Sequence, residues 1–356
     1  MSAVLPATAA NPLDDAQQKS EGVWHAAWAR FRQDRVGFWS MTVMFAFLLL
    51  ILLSATGLVA GKWQDEVGVP SAPPTFMGPA PPQAGTGAIE QPKGPNVDLS
   101  DIDPLAPRYK EWDEKAKQFQ TAETPKRETL PFGADRLGRD VLSKAIKGTE
   151  ISVFVGVVAA IAATTLGTLL GALGGFFGGR VGDGLEWLYN VFESIPNILL
   201  IFAFAAALNT RGVETVVIIL ALTGWTGMYR QVRAEFMKHR GREYVRAAEA
   251  IGASTGSRMF RHILPNVSHV ILVRMGLLVV GFIKAEVILS YLGIGVRVDQ
   301  VSWGTMLADS QSELILGHWW QLAAATLFMA VFVTAFSLMA DAWRDALDPK
   351  LRGLEK

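Results

Sequence analysis

Six apolar stretches, separated by polar segments, run along the chain. A helix rises about 1.5 Å per residue, so roughly 20 mostly apolar residues cross the hydrocarbon layer of a membrane. The stretches are Phe38 to Ala60, Ile151 to Phe177, Trp187 to Leu208, Thr215 to Tyr229, Val267 to Leu292 and Trp319 to Ala340. The first begins too far from the N-terminus and is too long for a cleaved signal peptide, which makes it a retained anchor. The pattern predicts an all-α integral membrane protein with six transmembrane helices.

The composition agrees with a membrane protein. Half of the 356 residues are hydrophobic, and 33 Lys and Arg balance 33 Asp and Glu. This balance gives no sign of a nucleic-acid partner. The chain has no cysteine, which excludes disulfides, thiolate metal sites and cysteine nucleophiles.

The positions of Lys and Arg predict the orientation, because cationic flanks and short loops resist translocation. Three cationic segments are spaced so that an even number of spans separates them: the flank before the first span, the segment from Arg230 to Arg261, and the C-terminal tail. Their residues include Arg30, Arg32, Arg35, Arg233, Lys238, Arg240, Arg242, Arg246, Arg258, Arg344, Lys350 and Arg352. We therefore expect residues 1–37 and 344–356 in the cytoplasm.

The same topology places residues 61–131 outside the membrane, between the anchor at 38–60 and the second span. Eight prolines from Pro70 to Pro95 rule out a regular helix there, whereas Tyr109 to Gln120 favours a charged helix. Two interpretations of residues 61–128 remain open. They form either a solvated linker without a core or a docking surface for an extracytoplasmic partner.

Four glycines at intervals of four residues lie on one face of the second span: Gly167, Gly171, Gly175 and Gly179. Small residues at this spacing let another helix backbone approach closely, which favours helix packing in lipid. The alternative is a flexible or kinked helix end.

Five residues inside the apolar stretches are candidates for a translocation path: Glu193, Pro196, Arg274, Lys284 and Glu286. A proline bends a span, and charged groups at depth face protein or water because exposure to lipid is costly. Glu193 could instead reach the membrane interface. An ion-coupled secondary transporter that uses the four charged groups is the alternative from another functional class.

A helix-turn-helix elbow is predicted over residues 243–265, in the most cationic part of the chain. Glu243 to Ile251 forms a short helix, Gly252 ends it, Ser254 caps a second helix, and Pro265 halts that helix before the fifth span. The elbow would project into the cytoplasm. An ordinary amphipathic interfacial helix is the alternative.

The elbow resembles the EAA coupling loop of binding-protein-dependent ABC transporter permeases. Ala247, Ala248, Gly252, Leu264 and Pro265 match the pattern of that loop, while Arg246 stands at its usual Glu and His262 at its usual Ile. The segments 132–143, 291–296, 302–307 and 341–349 resemble the C-type subunit of the oligopeptide, dipeptide and nickel branch. The resemblance covers residues 132 to 353.

The resemblance implies a type I ABC importer permease fold with its transmembrane domain at 132–343 and a coupling loop at 243–265. Residues implied to contact an ATPase are Glu243, Tyr244, Arg246, Ala247, Ala248, Gly252, Arg261, His262, Leu264 and Pro265. The implied partners are a second homologous permease subunit, two ATP-binding subunits, an extracytoplasmic solute-binding protein and membrane lipid, in the inner membrane of a bacterium. Peptides, nickel and other solutes remain open as cargo.

No catalytic or metal site is predicted in the chain itself. It lacks a Gly-x-x-x-x-Gly-Lys-Ser/Thr phosphate loop, so ATP and Mg²⁺ would be used by partner subunits. It also lacks His-Glu-x-x-His and Gly-x-Ser-x-Gly patterns. We therefore expect a transport subunit that binds no cofactor.

Overall fold

The computed structural model describes residues 23–79, 108–118, 125–297 and 299–347, and this part of the chain is helical, with isolated β-bridges in place of strands. The helices are α1 (Val23–Gln33), α2 (Arg35–Ala55), α3 (Tyr109–Gln118), α4 (Val141–Phe177), α5 (Gly179–Glu193), α6 (Asn197–Leu208), α7 (Val213–Gly224), α8 (Thr226–Arg240), α9 (Glu243–Ala250), α10 (Thr255–Ser257), α11 (Leu264–Tyr291), α12 (Trp303–Ile315) and α13 (Trp320–Leu347). A π turn at Arg258–Ile263 joins α10 to α11. The predicted cytoplasmic residues Lys350 and Arg352 lie outside the described ranges, as do residues 80–107 and 119–124 of the predicted extracytoplasmic segment.

Three described helices, α2, α4 and α13, are long and apolar enough to cross a membrane, and the bent pair α5 and α6 brings the number to four if it counts as one span. Helix α7 is apolar but short. Helix α11 has 28 residues and bears Arg274, Lys284 and Glu286. The element types agree with the predicted all-helical class, although α2 ends at Ala55, before the predicted Ala60, and α4 begins ten residues before the predicted Ile151.

The third predicted span, Trp187 to Leu208, is not one continuous helix. Helix α5 ends at Glu193, α6 begins at Asn197, and the two axes differ by 92°. Pro196 is the physical reason, because it has no N–H to donate and disfavours helical backbone in the residue before it. The fourth predicted span is also interrupted, since α7 ends and α8 begins on either side of Trp225.

Pro265 does not halt a helix before the fifth span, contrary to the prediction. It lies in the first turn of α11, and the helical backbone runs without a stop from Thr255 to Tyr291. A proline is tolerated in the first turn of a helix. The preceding π turn, in which the N–H of Leu264 donates to the carbonyl of Met259, widens the backbone at this point.

The chain divides into two compact units. Unit 1 comprises residues 1–61, 145–308 and 325–356, and unit 2 comprises residues 62–144 and 309–324. The main core of unit 1 contains small and β-branched residues of α4 packed against apolar side chains of α7, α11 and α13. A second core in unit 1 joins the end of α4 to α8, α9 and the start of α11.

Residues 62–79 of unit 2 share a small core with residues 127–139, so the interpretation of a linker without a core fails for them. Ala72, Leu130 and Ala134 are buried together, and bridges pair residues 66–74 with residues 127–139. Buried Lys144 donates to Asp135 Oδ2 at 2.9 Å. Helix α3 is present as predicted, and the last two residues of that prediction lie outside the described ranges.

Candidate functional site

The glycines of α4 bring its backbone into close contact with α8. A Cβ added at Gly167, Gly171 or Gly175 would lie 2.6 to 2.8 Å from a carbonyl oxygen of α8 or of its N-cap residue, and those carbonyls belong to Trp225, Tyr229 and Arg233. Real Cβ atoms do not approach backbone so closely, so each of the three glycines is required by the packing. We call Gly167, Gly171 and Gly175 the glycine face.

Gly179 does not belong to the glycine face, which corrects the prediction. Helix α4 ends at Phe177, and both Gly178 and Gly179 have a positive φ. A Cβ at Gly179 would meet no atom within 4 Å. The four-residue spacing therefore extends in the sequence past the end of α4, and Gly179 does not lie on the same helix as the other three glycines.

Helix α8 leads directly into the elbow, defined as residues 243–265, where local backbone rules explain the turn. Gly252 has φ +84° and follows the C-cap of α9. The N–H of Gly252 donates to Glu249 O and the N–H of Ala253 donates to Ala248 O, both at 2.9 Å, which is the Schellman pattern. Ser254 Oγ then accepts from Ser257 N, as predicted for a helix cap.

The short helix α9 has one buried side and one exposed side. Val245 packs with Phe236 and Met259 in the second core, and Ala248 is only 4% exposed. Ala247 is exposed, together with Glu243, Tyr244 and Arg246. Of the two alanines, Ala248 therefore packs against this chain and Ala247 faces outward, so only Ala247 keeps a slim outer surface available to another protein.

Arginine contacts attach the elbow to the end of α4. Arg240 Nη1 donates to the carbonyl of Phe176 at 2.8 Å, and the Arg258 guanidinium stacks 5.5 Å from the centroid of the Phe176 ring. Arg258 also forms an ion pair with Glu249, which joins the two arms of the elbow. Arg258 therefore holds the elbow against the end of α4, and Arg240 holds the end of α8 there.

The junction of α8 and α9 contains a titratable pair. His239 Nδ1 and the hydroxyl of Tyr244 are hydrogen bonded at 2.8 Å. Burial lowers the pKa of His239 below its ordinary value, against the opposing effect of Glu235, while burial raises the pKa of Tyr244. The neutral imidazole is therefore favoured at this junction.

The remaining predicted coupling residues lie on the second arm of the elbow. Arg261 and Pro265 are exposed, and His262 and Leu264 are half-buried. The His262 carbonyl accepts from Asn266 Nδ2 at 2.7 Å. Arg261 and Arg246 thus add positive charge to the exposed surface of the elbow.

A cleft of about 420 Å³ in unit 1, here called the charged cleft, contains three of the five predicted path residues: Glu193, Pro196 and Arg274. Most of its other lining residues are Leu, Ile, Phe or Gly, and it also includes Arg230, which sequence analysis did not select. Lys284 is exposed and does not line this cleft. Of the three charged residues of α11, Arg274 lines the charged cleft, and Lys284 and Glu286 do not.

Glu286 does not line the charged cleft either, because it is fully buried elsewhere in unit 1. Ser152 Oγ donates to Glu286 Oε2, and Ser290 Oγ donates to Glu286 Oε1, both at 2.7 Å. The N–H of Trp303 donates to Ser152 Oγ at 3.2 Å, and that of Val296 to Ser290 Oγ at 3.3 Å. We call Glu286, Ser152 and Ser290 the Glu286 cluster.

Two sequence motifs that carried the resemblance form the walls of the Glu286 cluster. A Cβ at Gly304 would lie 2.6 Å from Ser290 Cβ, and a Cβ at Gly295 would overlap the side chain of Ser290. The segments 291–296 and 302–307 are therefore packed tightly around the end of α11. Within the described ranges, no group of three or more His, Asp and Glu side chains could hold a metal ion.

Arg230, Ser152 and Ser290 are the residues that sequence analysis missed. Arg230 was counted only as part of a cationic loop, although it is the fifth residue of α8. Ser152 carried no signal, because an isolated serine in an apolar helix is common and Glu286 lies far away in the sequence; only the packing of α4 against α11 reveals it. Ser290 lies four residues after Glu286 on α11, and that spacing is a signal that could have found it.

Comparison with known proteins agrees with this architecture. Residues 163–353 match the family model described as binding-protein-dependent transport system inner membrane component. The chain is 37% identical over 221 residues to the dipeptide transport system permease protein DppC of Bacillus subtilis, a match that covers 62% of this chain and 69% of that protein. It is 36% identical over 248 residues to the oligopeptide transport system permease protein OppC of the same organism, covering 70% and 81%.

A solved structure of the MetNI methionine ABC transporter, in an inward-facing conformation, is similar at 14% identity and a TM-score of 0.48, covering 58% of this chain and 96% of that chain. The family model matches more than half of the chain, and it includes α8, the elbow, α11 and α13. This chain therefore belongs to the family of binding-protein-dependent transport system inner membrane components.

Proposed function

We propose that this chain is one of two permease subunits of an ATP-driven importer for dipeptides and oligopeptides. Membership of the family supports a role in binding-protein-dependent transport. The peptide cargo is supported by the relatives named above, which are peptide permeases. Within this proposal the chain is a transport subunit, and ATP hydrolysis takes place on partner subunits.

The observation that carries the proposal is the construction of the elbow. Its inner side is fixed to α4 and α8 by apolar packing and by Arg240 and Arg258, while its outer side exposes Arg246, Ala247 and Ile251. A force applied to the outer side would be transmitted to α8 through this apolar packing. It would also act on α4, because the glycine face packs the backbone of α4 against α8. This is the mechanical arrangement that coupling to a separate ATPase requires.

The proposed topology has six crossings, made by α2, α4, the bent pair α5 and α6, α7 with the start of α8 as far as Tyr229, α11, and α13. Both termini and the elbow lie in the cytoplasm of a bacterial cell, in accord with the cationic segments that flank them. Residues 61–131 then lie outside the membrane. The small core of Ala72, Leu130 and Ala134 supports a role of this segment as a docking surface for a solute-binding protein.

The experiment that tests the proposed function is uptake of a labelled tripeptide into vesicles that contain this chain, a second permease subunit, the ATP-binding subunits and a loaded binding protein. We expect uptake that requires ATP and every subunit. Transport by this chain alone, driven by a proton gradient, would contradict the proposal and favour an ion-coupled transporter. Uptake of nickel in place of peptide would leave the machinery intact but reject the cargo.

A further inference from the structure

The charged cleft combines charged and apolar side chains. Its lining includes two cations, Arg230 and Arg274, and one anion, Glu193, in a wall made mainly of Leu, Ile, Phe and Gly. Its volume of about 420 Å³ lies within the range of small-ligand sites. The cleft therefore has room for part of a peptide and an excess of positive charge.

Arg274 is held in this cleft without a counter-ion. It is half-buried, its Nε is fully buried without a hydrogen-bond partner, and no described carboxylate lies within ion-pair distance of it. Keeping an unpaired cation among apolar side chains is costly, and a leucine at this position of α11 would avoid the cost. A role in binding an anion accounts for its presence.

The backbone of α8 is shaped to hold Arg274 near Arg230. A Cβ at Gly227 would lie 2.6 Å from Arg274 Nη2, so the guanidinium lies directly against α8 at this point. Arg230 is three residues further along α8 and therefore on the same helix face. Both arginines line the cleft, and both carry N–H donors that suit a carboxylate.

We propose that the charged cleft binds the terminal carboxylate of the transported peptide through Arg274 and Arg230. This inference rests on the proposed function and adds to it a contact inside the permease subunit, distinct from selection by the binding protein. The carboxylate is the one anionic group that every unmodified peptide carries. Glu193 leaves the cleft with a single net positive charge, which favours a group that bears one negative charge.

The test compares two probes in the complete reconstituted transporter: trialanine, and trialanine with an amidated C-terminus. The fraction of binding protein loaded with each probe is measured, and uptake is expressed per loaded binding protein. The variants are Arg274→Gln, Arg230→Gln and the charge-preserving Arg274→Lys. Arg211→Gln is the matched control, because Arg211 is exposed and lies outside the cleft.

We expect Arg274→Gln to slow trialanine uptake by about tenfold, the size of one lost charge-assisted hydrogen bond, while amide uptake changes less than about twofold. Arg274→Lys should retain part of the preference for trialanine over its amide. Arg230→Gln should show the same loss of preference as Arg274→Gln, but a smaller one. If Arg274→Gln prevents assembly of the complex, Arg230→Gln decides the question.

An equal slowing of both probes, an unchanged ratio, or the same change in Arg211→Gln would overturn the carboxylate site while leaving the proposed function intact. If the wild-type transporter takes up neither probe with ATP, the proposed function fails, and the inference fails with it.

Discussion

The polar groups near the two ends of α11 differ in their exposure and in their hydrogen bonding. At the elbow, Arg246 and Arg261 are exposed beside the apolar Ile251, which is 85% exposed. At the other end, Glu286 is fully buried, and both of its carboxylate oxygens accept hydrogen bonds from serines of this chain. One end leaves its polar groups available to a partner, and the other satisfies them internally.

This difference indicates which end of α11 is built to be engaged from outside and which is built to hold its shape. A buried carboxylate requires all of its partners to remain in place, because a buried group left without a hydrogen bond is costly. The outer side of the elbow has no such requirement. We therefore expect changes at the Glu286 cluster to affect stability, and changes on the outer side of the elbow to affect coupling.

The largest expected effect is that of Glu286→Leu. This change removes both acceptors and leaves the buried hydroxyls of Ser152 and Ser290 without their partner, so unfolding should become easier by about 2–4 kcal/mol. The measurement is thermal unfolding of the purified complex in detergent. Glu286→Gln, which keeps one acceptor oxygen, is the control and should cost clearly less. Equal destabilisation by both variants would show that the hydrogen bonds of Ser152 and Ser290 to Glu286 are not the source of the stability.

The glycine face should give the next largest effect. Gly171→Ala places a Cβ 2.8 Å from the carbonyl of Tyr229, so α4 and α8 must separate, at a cost of about 1–3 kcal/mol in unfolding free energy. Gly184→Ala is the matched control, because a Cβ there meets no atom within 4 Å and alanine favours helix. A decrease in melting temperature for Gly184→Ala as large as that for Gly171→Ala would argue against a special role of the glycine face.

The outer side of the elbow is tested by Ala247→Trp. A bulky side chain at this exposed position should obstruct an ATPase groove and lower ATP-driven uptake by about tenfold, equivalent to ~1.4 kcal/mol of coupling, with little change in melting temperature. Ala248→Trp is the contrasting variant, since Ala248 is buried and a large side chain there should destabilise the elbow itself. Normal uptake by Ala247→Trp would count against contact on this side of α9.

The smallest effect is expected from pH. Because burial lowers the pKa of His239, the folded elbow binds fewer protons than the unfolded chain. Stability contributed by the neutral imidazole should be present above pH 6.5 and be lost as the pH falls from 6.5 toward the lowered pKa. Unfolding measured across this window should show a weaker pH dependence in His239→Gln. An identical dependence of unfolding on pH in the wild type and in His239→Gln would show that His239 does not contribute to the pH dependence of stability.

Sequence reasoning predicted the elbow well, because its turn follows from local rules. A glycine at positive φ and a serine at a helix start act through their own backbone, so Gly252 and Ser254 could be assigned without knowledge of the fold. Pro265 was misassigned because a proline reads as a stop, although the first turn of α11 and the π turn before it accommodate the ring. The sequence marked Pro196 as a bend but gave no way to derive an angle of 92°.

The grouping of charged residues could not be predicted, because it depends on packing between distant helices. Arg274 and Glu286 are on the same helix, yet one lines the charged cleft and the other is buried against α4. Arg230 lines the cleft together with Gly224 and Gly227, against which Phe282 and Arg274 of α11 lie closely. The glycine spacing predicted close packing by α4, but not that α8 would be its partner or that Gly179 would fall beyond the helix end.

The central claim, that the outer side of the elbow contacts an ATPase, is most directly tested by cross-linking. The chain has no cysteine, so a single cysteine at the exposed Ile251 can be labelled without background. In the complete transporter, a short thiol-directed cross-linker at this position should join the chain to an ATP-binding subunit, with a yield that changes when ATP is added. Cross-links only to the extracytoplasmic binding protein, or none to an ATP-binding subunit in any nucleotide state, would contradict the account.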